Sequence, residues 1–427
     1  MVLAGGRVVT PSGVLDPGWV RVRDGRIVDV GPGAAPPPDA PAAGPATGAL
    51  ATGPEAEVPA AGPEAGAPAG QVVGTSAAGF EAGEAMDLGG RWLLPGFVDL
   101  HVHGGGGASH QDGSPDEVAR VVELHRRHGT TTMLASLVTA PLDELERSAA
   151  ALAELVDDGL VAGVHLEGPF LATARCGAHD PRLLRAPERA AVERLVKAGR
   201  GAVRMVTLAP ELDGGMAAVH QLAADGVIAA VGHTDASYRQ TREAVDAGAR
   251  VATHLFNGMR GLHHREPGPI LALLEDERVT VELINDGVHL HPAVVGYVFR
   301  TVGPGRVALI TDAMAAAGNG DGDYTLGGLP VVVRNGVARL ADGSSVAGST
   351  LTMDAALRAA VQAGVPVPSA SKALSATPAG ILGLAGELGS IAPGQAADLV
   401  VLDGDLAVHA TLHRGQWVTD QPKRPEM

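Results

Sequence analysis

Between residues 95 and 311 the chain repeats one pattern eight times: a short apolar, β-branched run followed by a longer amphipathic stretch. The strand-like runs fall at 95–102, 130–138, 160–167, 203–209, 226–232, 249–255, 279–285 and 306–311. Alternation of this kind is the signature of parallel strands joined by crossover helices, and eight such units match a (β/α)8 barrel better than an open sheet. The helical stretches carry their own boundary signals. One opens with Ser114 as N-cap, Pro115 at the first helical position and Asp116 and Glu117 in the first turn, and stops at Gly129. The expected fold is therefore α/β, a TIM-like barrel. Such barrels carry their chemistry at the C-terminal ends of the strands, which says where to look.

The first run, Leu94-Pro-Gly-Phe-Val-Asp-Leu-His-Val-His-Gly104, ends in two histidines followed by glycines to Gly107. The two-residue period of a strand puts His101 and His103 on one face, and the glycines leave that end uncovered. Alone, His-x-His fits two satisfied core histidines. With Pro95-Gly96 before it, Asp99 inside it and the glycine run after it, a metal site is the better reading. The other strand ends add His165-Leu-Glu167, Gly232-His233-Thr-Asp, Thr253-His254-Leu-Phe-Asn257, Asn285-Asp286-Gly-Val-His289 and Thr311-Asp312. Each has a bland alternative: Glu167 could pair with an arginine, His233 could cap a helix, and Asp312 could be an N-cap. The bland readings do not explain why so many strands deliver ligand-type residues at the same end. A divalent metal bound by Glu167, His233 and His254 would keep a position open for water and lower its pKa from ~15.7 to ~7. His101 and His103 would hold a second metal or orient the first, and Asp312 would move protons between water and a leaving nitrogen. The chemistry this set supports is metal-assisted hydrolysis.

Outside the barrel, the first ~30 residues alternate apolar and polar around Gly-Arg and Asp24-Gly25 turns, which reads as short antiparallel strands. From 31 to 85 the sequence turns to Ala, Pro and Gly, with no Lys or Arg between Arg26 and Arg91. Such a segment buries too little surface to offset its ordering entropy, so a disordered insertion is expected. The net charge of −16 argues against nucleic acid and anionic membranes as partners. No apolar run approaches the ~18 residues of a membrane span, and Met1 to Gly13 lacks signal-peptide character. A single cysteine, Cys176, fits a reducing compartment, so the cytoplasm is expected.

Several segments together resemble the amidohydrolase superfamily and, within it, the N-acetylglucosamine-6-phosphate deacetylases. They are Pro95-Gly-Phe-Val-Asp-Leu-His-Val-His-Gly, His165-Leu-Glu-Gly-Pro-Phe, Val231-Gly-His-Thr-Asp-Ala, Thr253-His-Leu-Phe-Asn-Gly-Met, Arg265-Glu-Pro-Gly, Asp286-Gly-Val-His, Thr311-Asp-Ala-Met and Ala347-Gly-Ser-Thr-Leu-Thr-Met. The tail from Gly389 to Asp403 is similar to the superfamily's C-terminal strands. The resemblance implies a small β-sandwich domain built from both chain ends (1–94 and 384–427) around a barrel at 95–383. It implies Glu167, His233 and His254 as main metal ligands, Asp312 as catalytic acid/base and His179 as the group polarising the substrate carbonyl. Asn257 and Gly258 match a backbone contact to the substrate. His289 and Arg265 match the groups that receive the sugar phosphate, with the arginine supplied across a homodimer interface. With His101 and His103 both present, one or two metals are implied. Zinc suits the donors, while iron, manganese and cobalt occupy similar sites.

The activity implied is hydrolysis of N-acetylglucosamine 6-phosphate to glucosamine 6-phosphate and acetate, in amino-sugar catabolism and cell-wall recycling. The galacto isomer is a close alternative. A cyclic-amide hydrolase is weaker, because its bridging carboxylated lysine would have to come from Lys197, Lys372 or Lys423, none on a candidate strand. A catalytically inactive barrel is weaker still, since no ligand is missing. Cys176 lies between Glu167 and His179 and reads as a small packed residue, and His263 and His264 beside Arg265 read as a surface loop.

Overall fold

The computed structural model describes residues 1–37 and 85–418. Eight parallel strands, Phe97–Val102, Thr130–Val138, Gly163–Glu167, Val203–Leu208, Ile228–Val231, Val251–Ala252, Thr280–Ile284 and Val307–Ile310, lie side by side in chain order. They follow the eight expected runs. The sixth is cut to two residues because the chain turns at His254 and Phe256, both at positive φ. Helices cover the outside and bury the inner face of each repeat. In Pro115–Arg127, for example, Val118, Val121 and Val122 are buried against the sheet, each contributing ~1.5–3 kcal/mol. Ser114 does occupy the N-cap position of that helix, but its hydroxyl makes no capping hydrogen bond. A complete capping box forms instead at Ser237, whose hydroxyl accepts from the Gln240 N–H while the Gln240 side chain accepts from the Ser237 N–H.

The first and eighth strands meet at their C-terminal ends. The Asp312 N–H donates to the His101 carbonyl at 2.8 Å, and the His103 N–H to Ala313 at 2.8 Å. Below them, Thr311 Oγ1 donates to Asp99 at 2.6 Å. Burial pushes the Asp99 carboxyl up to about 7, with the Thr311 hydrogen bond opposing it. Asp99 thus joins the barrel seam and leaves the cluster of ligands to its neighbours.

A second sheet is assembled from both ends of the chain. Gln416–Trp417, Val408–His413, Leu399–Leu402, Trp92–Pro95, Val2–Thr10, Gly13–Arg23 and Arg26–Pro32 are neighbours in that order, and Ala85–Asp87 pairs with Val2–Thr10. It curls until the Ile27 N–H reaches the Gln395 carbonyl at 2.9 Å, enclosing Leu3, Val20, Ile27, Leu93, Leu399 and Leu412 in a core of its own. Asp24-Gly25 forms the expected tight turn between Arg23 and Arg26. Gly6-Arg7, expected as a turn, lies inside a strand: the register shifts there, Gly5 takes a φ of +71°, and the turn falls at Pro11-Ser12. A glycine that opens a bulge resembles a turn glycine in sequence. The Ala/Pro/Gly insertion lies outside the described residues except at its edges, where a strand runs through Pro32 and the next begins at Ala85.

After strand eight comes an element the alternation did not announce. Gly322–Leu326, Leu329–Arg334 and Val337–Leu340 form a three-stranded antiparallel sheet. It packs Leu326, Val331 and Val333 on Val138 and Met314, over the C-terminal mouth of the barrel.

Candidate active site

Six polar side chains from strands one, three, five, six and eight converge at that mouth in two groups: His101, His103 and Asp312, and Glu167, His233 and His254. Within each group the ligand atoms lie within 4.8 Å of one another. Glu167 belongs to both in effect. Its Oε1 is 3.1 Å from His233 Nε2 and 2.9 Å from His254 Nε2. Its Oε2 is 3.2 Å from His103 Nε2 and 3.5 Å from His101 Nε2. Asp312 Oδ1 closes the first group at 3.2 Å from His103 and 3.5 Å from His101.

The rings are aimed from behind. His233 Nδ1–H donates to the Arg175 carbonyl at 2.8 Å, and His103 Nδ1–H to the Ser136 carbonyl at 3.2 Å, so each offers a bare Nε2 to the cluster. His233, His254 and Asp312 sit at φ of +47°, +28° and +48°, a region non-glycine residues rarely adopt. Such backbone swings the side chains off their strands and over the mouth. Gly258 leaves room for this: a Cβ there would lie 2.9 Å from His233 Nδ1.

The donors suit a cation. Glu167, Asp312 and Glu282 are buried carboxylates gathered on a set of imidazoles, and among the described residues none of the three has a lysine or arginine within ion-pair distance. Burial disfavours a charged His101, yet Glu167 and Asp312 outweigh it and raise its pKa well above the usual value. Glu167 is likewise opposed by burial but driven well below the usual carboxylate range by His101 and His179. Burial raises Asp312 and the His101 and His103 imidazoles overcome it, leaving it lowered. His179 goes the other way, pushed down to about 4 by burial with Glu167 only partly compensating. Its Nδ1 accepts the Thr139 N–H at 3.4 Å, which leaves a neutral ring with its Nε2–H turned toward Glu167 Oε2, 3.4 Å away.

A cavity of ≈ 270 Å³ opens onto this cluster, with Asn257, Gly258, His289 and Asp312 among its lining residues and Leu326 from the three-stranded sheet on its wall. That is close to the lower end of small-molecule sites, ~300–1,000 Å³, and suits a single sugar better than a polymer. His289 Nδ1 is 2.7 Å from Asp286 Oδ2. Burial lowers the His289 pKa but Asp286 more than reverses this, which shifts the ring toward its charged, donating form. Arg265 lies elsewhere, exposed on the loop before Gly268–Glu275, with Nη1 2.8 Å from His264 Nε2. Cys176 follows a single 3-10 turn at Thr173–Arg175; its carbonyl accepts the His179 N–H, and neither metal-type group includes it. Lys197 and Lys372 both lie in helices, and Lys423 lies outside the described residues.

Three contributors were not read from sequence. Arg175 acts through its carbonyl, while its guanidinium is tied to Asp235, as is that of Arg260. Thr139 sets the His179 tautomer. Glu282, fully buried in strand seven, stands behind His101 and His254. A carbonyl leaves no residue-type signal, but a lone glutamate in the apolar run Val281-Glu-Leu-Ile does.

A fold of this type, with histidines and carboxylates converging at the strand ends, defines a metal-dependent amidohydrolase, and the amidohydrolase family model matches residues 92–425. The chain belongs to that family. It is 42% identical to the N-acetylgalactosamine-6-phosphate deacetylase of Escherichia coli O157:H7, over 76% of this chain and 87% of the relative. It is 36% identical to the N-acetylglucosamine-6-phosphate deacetylase of Vibrio furnissii, over 80% and 86%. Among solved structures, a mutant N-acetyl-D-glucosamine-6-phosphate deacetylase from Mycobacterium smegmatis, in complex with N-acetyl-D-glucosamine-6-phosphate, superposes with a TM-score of 0.86 at 46% identity, covering 98% of this chain and 99% of that one.

Proposed function

We propose that the chain hydrolyses the acetamide of N-acetylglucosamine 6-phosphate, releasing acetate and glucosamine 6-phosphate. The observation that carries this is the pair of ligand triads spanned by Glu167, with Asp312 on the wall of a sugar-sized cavity. The 46% identity to a deacetylase seen with that substrate supports the choice of sugar. Glu167, His233 and His254 would hold the main divalent metal, zinc by the nitrogen and oxygen character of the donors, and His101, His103 and Asp312 a second. When bound, a divalent metal supplies the Lewis acidity that makes water nucleophilic near neutral pH.

The rest is the chain's own work. Asp312, ionised at neutral pH, takes the proton of the attacking water and returns it to the sugar nitrogen as the C–N bond breaks. His179, neutral and donating from Nε2, stabilises the negative charge that develops on the acetyl oxygen. Asn257 and Gly258 face the sugar, and the charged His289 ring supplies a donor for phosphate. Arg265 completes the phosphate site from the second subunit of a homodimer. Its exposure, its absence from the lining of its own chain's cavity and the neighbouring Leu262, 57% exposed, support that arrangement. The cytoplasm is the compartment that fits a sugar-phosphate substrate.

The 42% identity to a galactosamine-type deacetylase gives a second reading, the same chemistry on the galacto isomer. Acetate release measured across N-acetylated amino sugars of both configurations, with and without the 6-phosphate, decides. Fastest turnover on the phosphorylated gluco sugar is expected; a preference for the galacto isomer would transfer the assignment, and no release from any phosphorylated sugar would overturn it.

A further inference from the structure

Glu282 is fully buried, and none of the steps above uses it. Its Oε2 accepts the backbone N–H of His254 at 3.3 Å and lies 3.6 Å from His101 Nδ1. Among the described residues it is therefore the one carboxylate that reaches behind both triads. Its own Oε1 has no hydrogen-bond partner, nor has Nδ1 of either His101 or His254, the two residues it contacts. Among the described residues His101 is its only ion-pair partner within 4.0 Å. His165, Thr207 and Thr253 are engaged with other partners, His165 with Ser136 at 3.0 Å and Thr207 at 2.8 Å, and Thr207 with Thr253 at 2.8 Å.

We propose that Glu282 is a positioning residue that prepares His101 for a second metal. A carboxylate behind Nδ1 selects the tautomer with its proton there, which turns the lone pair of Nε2 toward Glu167 and Asp312. Without it, nothing in this arrangement prevents the Nε2–H tautomer, whose proton would point at the cation's place. The negative charge of Glu282 also stands on the His101 side of the site, so it favours a dication in the His101–His103–Asp312 triad more than in the other. Through the His254 N–H it holds the backbone of the second triad, where φ is +28°, but does not set that ring's tautomer. The inference rests on the metal reading of the two triads.

The test is metal content per chain by elemental analysis, after dialysis of the intact protein against a series of buffered zinc concentrations. Wild type should take up two equivalents. Glu282→Leu should weaken one of them by about 10- to 100-fold and leave the other tight, and in a His103→Ala background the same change should remove nothing further. Glu282→Gln, which keeps an acceptor oxygen but not the charge, should fall between, and guards against a leucine variant that fails to fold. Two undisturbed equivalents in both variants, equal weakening of both sites, or a lower melting temperature of the metal-free protein with metal binding unchanged would each assign Glu282 a merely structural role. A wild type that binds one equivalent would overturn the proposal and leave the single-metal hydrolase standing, whereas one that binds none would defeat the metal reading itself.

Discussion

Asp312 meets conflicting demands in one place: its N–H closes the barrel seam, its φ of +48° is strained, and its carboxylate faces two imidazoles. Asparagine can keep the first two and cannot move a proton. Asp312→Asn should therefore fold, retain the metal of the Glu167 triad and lose at least ~100-fold in kcat, along with the acidic limb of the pH profile. Activity within a few fold of wild type would remove Asp312 from the proposed mechanism. Two buried histidines behind the site make a different prediction. Burial lowers His110 to about 3 and His125 to about 4. In the unfolded chain both titrate near ~6.5, so between those values the unfolded state binds more protons. The stability they contribute is complete above about pH 6.5 and is lost as pH falls toward the folded values. His110→Leu removes one proton's share, ~1.4 kcal/mol per pH unit, so its melting temperature should fall less steeply than wild type from about pH 6.5 to about pH 4.5 in calorimetry. Identical slopes would contradict this. Among single residues, the histidine and carboxylate cluster at the mouth was legible because these residue types at strand ends have few other uses. Arg175 and Thr139 were not, because backbone carbonyls and amides carry no residue code.

Among the elements, the loop between Arg260 and Gly268 carries the specificity prediction. Arg265 presents a planar guanidinium in solvent and, among the described residues, forms no ion pair with a carboxylate, its side-chain contact being His264. If it receives phosphate, Arg265→Ala should raise KM for the phosphorylated sugar by about 10- to 150-fold, the worth of one charge-assisted contact, and barely change slow hydrolysis of the unphosphorylated one. Equal losses on both sugars, or none, would refute the role. The eight barrel strands were legible because short apolar, β-branched runs alternating with amphipathic stretches admit few alternatives. The bulge at Gly5 and Gly6 and the sheet over the mouth were not. A glycine in a strand and a glycine in a turn share the same freedom, and short antiparallel strands inserted after the eighth repeat break the period that identified the others.

For the whole molecule, subunit mixing tests whether sites are shared. Co-purified Arg265→Ala and Asp312→Asn chains should regain one intact site per mixed dimer, and turnover above both parents is expected; none would mean that each chain supplies its own phosphate contact. The Ala/Pro/Gly insertion yields a plainer expectation. Replacing residues 34–83 with a few glycines should leave turnover unchanged, since the composition offers little to pack, and a collapse would give the segment a part in the site.

The pairing of Trp92–Pro95 with Leu399–Leu402 sets an order on synthesis. Every barrel strand precedes residue 399 in the chain, so all eight have left the ribosome before the partner of Trp92–Pro95 exists. Until then Leu3, Val20, Ile27 and Leu93 wait without the Leu399 and Leu412 side chains that complete their core. Contacts so distant in sequence form slowly and leave apolar surface exposed meanwhile. The small sheet is thus the late-closing clasp of the molecule, and the interval before it closes is when the nascent protein most needs protection from aggregation.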